Sequence, residues 1–508
     1  MSGDGRHSDH RRSRPTRPGT SLEPVREGVT MLDLALTGGL VVGPTETSAL
    51  DVGIADGRIS MLTSPGGLPE ARESVDVSGL TLVPGGIDPH VHCDLAIEHE
   101  GHEPAVSFGP DVVGSAALIG GTTTLIDFVW LNPGEAIPDG IERFSRRWEE
   151  VSPIDFSFHV VLRGGVGREL LAQMPGAIEA GFPSFKVFTT NVFPSAPIGG
   201  IPLMVDFGSL QEILETAAEN GGITMIHSED DDIVQHMYRK LLADDRMEYT
   251  NLHEVHNSLS EDLSFRRAIR LAHKVGDAPI YFAHVSAKTG VDAMAEARAE
   301  GRPVFGETLH QYALHTYHDY REPDGMKYHT YPSLKDHEDT ERLWSGIGQG
   351  VLSCFATDAQ ATTYAVKTQG RRVDDVVGGN TGLEPRMALL YTEMVSKRGM
   401  TLQQYVEATS ANAAKIHGLY PRKGLLAVGS DADILGLSTG VERTITHTDL
   451  HESDYTPWEG WAVTAWPQLT LLRGKVVARD GQFVGDPTGG QVVPRKIADA
   501  ITTGPRYA

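Results

Sequence analysis

Cysteine is scarce: Cys93 and Cys354 are the two in 508 residues. A disulfide framework or a CxxC zinc ribbon cannot be built from them, so both are read as free thiols in a reducing cytoplasm. Positive charge is also short. Lys+Arg 44 against Asp+Glu 68 gives a net charge of −24, a surface that repels nucleic acid and anionic lipid, and neither is expected as a partner. No stretch stays apolar for the ~18 residues that a membrane span needs. The arginine-bearing N-terminus lacks the apolar core of a signal peptide, so residues 1–30 are read as a disordered tail. What is present is ordinary for a globular enzyme: 40% hydrophobic and 22% charged residues, with Gly 56 and Pro 29 marking many loops. A chain of 508 residues outgrows a single core, which predicts one large domain and one smaller one.

The two ends of the chain share a β texture. Leu32 to Val42, Arg58 to Leu62 and Ser74 to Val83 are short runs, with Asp56-Gly57 as a hairpin turn; Asp433 to Leu437 and Gln468 to Ala478 repeat the pattern before Asp480-Gly481. One small β-sandwich domain from residues 31–84 plus 420–485 is predicted, with 486–508 as a C-terminal tail. Residues 85–419 instead alternate apolar runs with helix-length segments. Eight strands are read there: Gly86 to His92, Thr122 to Val129, Asp155 to Leu162, Ser184 to Phe188, Ile223 to His227, Pro279 to Val285, Pro303 to Glu307 and Val351 to Thr357. Helices over Leu210 to Glu219, Leu263 to Val275 and Gly290 to Glu300 separate them, with Asp262 and Thr289 placed to cap the last two. Eight strand–helix units make an α/β protein with a (β/α)8 TIM-type barrel.

The chemistry gathers at the ends of these strands. In Ile87-Asp88-Pro89-His90-Val91-His92, period-two alternation points both imidazoles the same way. Lys186 interrupts the apolar run Phe185 to Phe188, which is costly unless the amine is neutralised or modified. His227 and His284 end two further strands, and Asp358 follows the last. Each has a bland reading alone, as a capped strand end or a hydrogen-bonded core residue. Six together at one barrel mouth point to a metal site, and four imidazoles with a carboxylate suit zinc better than magnesium or calcium. His159 is read as a packed structural histidine, Asp230-Asp231-Asp232 as a solvated acidic turn, and Gly378 to Gly382 as a tight loop beside the pocket. His310, His315 and His318 lie in the long seventh loop, where solvated and substrate-facing roles stay open.

These residues resemble the hydantoinases and dihydropyrimidinases, cyclic-amide hydrolases of the amidohydrolase superfamily. The resemblance is carried by Leu82 to His92, Gly120 to Phe128, Ser184 to Phe188, Ala283-His284-Val285-Ser286, Gly382 to Met387 and Ser410 to Gly424, and it spans about Leu32 to Val484. It implies two divalent ions, zinc above all: one held by His90, His92 and Asp358, the other by His227 and His284. Lys186 as N6-carboxylysine would bridge them. It further implies ring opening to an N-carbamoyl amino acid by a metal-bridging hydroxide, with Asp358 as the catalytic proton carrier. Tyr331 and the main chain at Asn380 would contact the substrate, and a homo-oligomer, tetramer or dimer, is expected. The chain departs from the family at three places. Asn191 stands where a catalytic tyrosine is usual and is the candidate hydrogen-bond donor to the oxyanion; Ala359 follows Asp358 where histidine is common; Cys93-Asp94 follow the first histidines. Alternatives are a hydrolase of another amide or imide on the same scaffold, a deaminase, or a non-catalytic dihydropyrimidinase-like scaffold protein.

Overall fold

The computed structural model describes residues 31–98, 102–194 and 201–503; the expected N-terminal tail, 1–30, lies outside the described residues. Eight parallel strands form one sheet in strict chain order: Gly86–Asp88, Thr122–Trp130, Asp155–Val161, Ser184–Phe188, Ile223–His227, Ile280–Phe282, Val304–Leu309 and Cys354–Ala356. A parallel bridge from Val91 to Ala359 joins the last strand to the first, so the sheet closes into a barrel. β-branched and aromatic residues fill the strands: Thr122 to Val129 and Asp155 to Val161 are buried throughout, as strands covered on both faces require.

Helices cover the outside by presenting one apolar stripe. In Ile137–Val151 the buried residues Ile137, Gly140, Ile141 and Trp148 fall at helical spacing, with Pro138 in the first turn, where its missing N–H costs nothing. The expected caps are corrected. Asn257 caps Ser258–Lys274, accepting from Ser260 N, so the helix begins five residues before Leu263 and Asp262 instead pairs with Arg266. Lys288–Ala299 starts after Ala287, and Thr289 Oγ1 donates to the Ser258 carbonyl.

The β-rich part is one nine-stranded sheet drawn from both chain ends, with Leu80–Pro84 paired to both Leu32–Val42 and Ile434–Thr444. Asp56-Gly57 and Asp480-Gly481 make the expected turns, each with two positive φ values (52° and 75°, 51° and 75°). The run Ser74 to Val83 is split: Gly79, at φ 82°, turns the chain between Ala71–Asp76 and Leu80–Pro84.

The segment 486–508 was expected to be a tail. Part of it is instead built into the barrel: Val493 N donates to the Phe156 carbonyl at 2.7 Å, and Arg495, buried, donates to Ser157 Oγ (2.8 Å) and Ser184 Oγ (2.8 Å). Beside it the buried Lys423 ammonium lies 2.8 Å from Asp155 and 3.4 Å from Asp431, and it also pairs with Asp433. This cluster ties the third barrel strand to the start of Ile434–Thr444 and satisfies carboxylates that would otherwise be costly to bury.

Candidate metal centre and active site

The six expected ligands come together. His90, His92, Lys186, His227, His284 and Asp358 line one cavity at the C-terminal mouth of the barrel. The first strand stops at Asp88, two residues before His90, so strand alternation does not place the two histidines. Short links do: Val91 bridges Ala359, His92 N donates to the Ala359 carbonyl at 2.7 Å, and Asp88 Oδ1 accepts from His90 N and Thr357 N. Beneath them Arg386, fully buried, donates to the carbonyls of Ile87 (3.0 Å), Phe355 (3.3 Å) and Thr409 (2.8 Å), which fixes the first and last strands.

His90 Nε2 and His92 Nε2 approach Asp358 Oδ1 at 3.1 and 3.0 Å. The ring of Phe128 floors the site, its centroid 4.8 Å from that of His90 and 4.6 Å from that of His92. His227 and His284 have ring centroids 4.5 Å apart. His90, His284 and Asp358 each bring one ligand atom within 4.8 Å of the others, a triad that crosses the expected division of ligands between two ions. His284 and Asp358 hold φ values of 37° and 50°, strained for residues with a Cβ, which is characteristic of functional positions.

The donors fit a divalent metal. Burial lowers His92 and His227, and lowers His284 far more, which keeps these imidazoles neutral with lone pairs to give. Burial would lower His90 too, but Asp358 and Glu307 outweigh it and raise it to about 9: the carboxylates around this ring favour positive charge at the site. His92 Nδ1 is buried without a partner among the described residues. Burial lowers Lys186 to about 8, against the pull of Asp358 and Glu307. Its amine forms no hydrogen bond with a described residue and lies 5.4 and 5.1 Å from the ring centroids of Phe128 and Phe188. Burial opposes ionisation of Asp358, yet His90 and His92 hold it well below the usual carboxylate range.

Two carboxylates that the sequence reading missed orient the ligands. Glu307 binds His90 Nδ1 and accepts from the Tyr281 hydroxyl at 2.7 Å. Glu229 accepts at 2.9 Å from His227 Nε2 and at 3.0 Å from His256 Nδ1, whose Nε2 lies 3.0 Å from the Tyr238 hydroxyl. Each fixes which ring nitrogen faces the cavity. Their sequence signals were faint: Glu229 two residues beyond His227, and Glu307 ending an apolar run.

Other expected residues divide. Tyr331 lines the cavity, its ring packed edge-on against Phe193 and His329. Asn380 does not line it; its Nδ2 donates to the His329 carbonyl at 2.9 Å and its carbonyl accepts from Gln360 N, while Gly378 and Gly379 of the same loop form the wall. Asn191 is not a lining residue either: its Oδ1 accepts from Met204 N at 3.3 Å, and its N–H donates to Asp231. Asp230 to Asp232 are therefore more than a solvated turn, because Asp230 caps the helix Asp231–Ala243 and Asp231 anchors Asn191. His159 is buried as expected, bound to Ser184 Oγ (2.7 Å) and the Pro89 carbonyl (2.9 Å). His310 stacks on Trp458, and His318 pairs with Asp336; neither lines the cavity. Leu95, Ile97, Trp130, Phe188, Val192, Phe193 and Leu203 give the wall an apolar side, and Glu98, Thr330 and Gln360 add polar groups to it.

The comparisons agree with this geometry. The amidohydrolase family model matches residues 81–477. The chain is 33% identical over 477 residues to a D-hydantoinase from Geobacillus stearothermophilus, covering 91% of this chain and 96% of that protein. It is 32% identical over 479 residues to a D-hydantoinase from Streptomyces coelicolor, covering 92% and 99%. The crystal structure of a dihydropyrimidinase from Brevibacillus agri superposes with a TM-score of 0.85 at 31% identity, covering 91% of this chain and 99% of that one. With its barrel, its histidine-rich mouth and these relatives, the chain belongs to the amidohydrolase family.

Proposed function

We propose that the protein is a metal-dependent hydrolase that opens a cyclic amide or ureide, of hydantoin or dihydropyrimidine type, to the N-carbamoyl amino acid. One observation carries the reading: four imidazoles, a carboxylate and a buried lysine whose amine has no hydrogen bond to a described residue converge on one cavity in a chain that matches D-hydantoinases along nearly its whole length. His90, His92 and Asp358 would hold one divalent ion, and His227 and His284 the other. Lys186, with no acceptor for its ammonium among the described residues, would serve as N6-carboxylysine between them, its amine adding to CO2 with release of a proton. Four imidazoles favour zinc. When bound, the ions supply Lewis acidity and an activated water nucleophile.

The chain's own groups do the rest. Asp358, kept ionised by His90 and His92, takes a proton from the attacking water and returns it to the leaving ring nitrogen. Glu307 and Glu229 hold the imidazoles in one orientation during that transfer. Tyr331 and the Gly378-Gly379 wall bound the ring, and the apolar side formed by Trp130, Phe188 and Phe193 excludes water and favours a ring carrying an apolar substituent. Asn191 enters only as an anchor for Met204. The reading takes the enzyme as cytoplasmic and homo-oligomeric; two buried free thiols support the first and the family resemblance the second.

The test is a panel of hydantoin, 5-substituted hydantoins, dihydrouracil, allantoin, dihydroorotate and cyclic imides offered to zinc-loaded protein, with the ring-opened product measured. Turnover of at least one ring, abolished by chelation, is expected. Full activity in metal-free protein would overturn the reading, and silence across the panel would direct it to a different amide.

A further inference from the structure

Gln360 lines the same cavity two residues beyond Asp358. Ala359 between them is buried, bridged to Val91 on one side and Asn380 on the other. Asp358 and Gln360 thus both line the cavity, on either side of that buried residue. Gln360 is held firmly. Its N–H donates to the Asn380 carbonyl at 3.0 Å. Against its side chain lies Gly379, at φ 69°, where a Cβ would sit 2.4 Å from Gln360 Cβ and 2.9 Å from Oε1. The carbonyl of Gly379 is in turn held by Lys367 Nζ at 2.5 Å. Among the described lining residues Gln360 supplies the one carboxamide, and that carboxamide makes no hydrogen bond to a described residue.

A carboxamide offers a donor and an acceptor side by side, which matches an N–H/C=O pair on a ring edge. The scissile amide must lie at the metal centre, beside Asp358, which leaves the rest of a five- or six-membered ring to the other lining groups, Gln360 among them. There a cyclic ureide carries a second C=O and a second N–H, whereas a cyclic imide keeps that C=O and has a methylene in place of the N–H, which would leave the carboxamide oxygen desolvated and unpaired. We propose that Gln360 is the specificity-determining residue that reads the N–H/C=O pair of a cyclic ureide on the edge away from the scissile amide. This rests on the hydrolase reading above and narrows its substrate class.

The experiment compares wild type, Gln360→Leu and the nearly isosteric Gln360→Glu, all zinc-loaded, on a cyclic ureide and a cyclic imide of equal ring size. Gln360→Leu is expected to lower ureide kcat/KM about 30-fold, mostly through KM because the contact is remote from the reacting atoms, and imide kcat/KM by a smaller factor, since an imide meets the carboxamide through its C=O alone. Gln360→Glu keeps the acceptor for the ring N–H and loses the donor to the C=O that both rings carry, so it preserves more of the ureide-to-imide ratio than Gln360→Leu does, with metal content and melting temperature as in wild type. Equal losses on both rings in Gln360→Leu would make Gln360 a packing residue and overturn the proposal. A changed preference among ring substituents, with the ureide-to-imide ratio intact, would overturn it as well. If wild type opens neither ring, the hydrolase reading falls first; if it opens both and only the Gln360 variants fail to discriminate, that reading stands with this one.

Discussion

Lys367 Nζ donates to the carbonyl of Val377 at 2.8 Å from a fully buried position. It also donates to the carbonyls of His329 (2.6 Å) and Gly379 (2.5 Å), and among the described residues its hydrogen-bond partners are backbone carbonyls alone. Burial holds the amine well below the ordinary lysine value. One side chain thus gathers the two segments that place Tyr331 and Gly378 on the cavity.

Lys367→Met removes a donor from three buried carbonyls and leaves that of His329 with Asn380 Nδ2 alone. The expected cost is about 3 kcal/mol in urea unfolding, together with a rise in KM that exceeds any fall in kcat, since the loosened wall binds the ring rather than reacting with it. An unchanged unfolding midpoint and KM would contradict this role.

Glu307→Gln weakens the acceptor on His90 Nδ1 and on the Tyr281 hydroxyl. Metal affinity is expected to fall about 10- to 100-fold, read by competition with a chelator, while the fold persists. Equal affinity in the variant would show that Glu307 merely fills space.

Lys186→Ala removes the expected bridge. Metal content should drop from about two ions per chain to one or fewer by elemental analysis, activity should fall by orders of magnitude, and added acetate or propionate should restore part of it. Retention of two ions and of activity would exclude a bridging carbamate.

Stability should depend on pH through Glu452. Its Oε2 accepts from the N–H groups of Gly382 (2.9 Å), Leu383 (3.0 Å) and Glu384 (3.3 Å), while Oε1 is buried without a partner. Burial raises the carboxyl from 4.5 to about 7, against those N–H groups. The folded state therefore holds this proton more tightly than the unfolded chain does. The stabilisation is complete below pH 4.5 and is lost as pH rises through about 7, at most about 3 kcal/mol at 1.36 kcal/mol per unit. Denaturant unfolding of Glu452→Gln should lack this slope; an identical slope in both proteins would assign it elsewhere.

The ligand set was legible because each member needs only a chemical type at a strand end: His227 closes Ile223–His227, and Lys186 stands out inside an apolar run. Helix starts were less so. Asp262 looked like a cap because it precedes an apolar stripe, but Asn257 captures Ser260 N first and the helix simply begins earlier. Asn191 matched a position in a pattern, yet its side chain is engaged by Met204.

By itself the sequence determined the eight-strand alternation, the hairpin turns at Asp56-Gly57 and Asp480-Gly481, and the six metal-ligand candidates, since periodicity and residue chemistry are local properties. Tertiary structure alone decided what orients those ligands and what closes the pocket. Glu307 reaches His90 across 217 positions, Arg386 reaches Ile87 across 299, and Arg495 reaches Ser157 across 338. Contacts at such separations leave no periodic trace in the chain; they exist because barrel closure brings the ends of distant strands to one mouth, where a buried charge must find its partner.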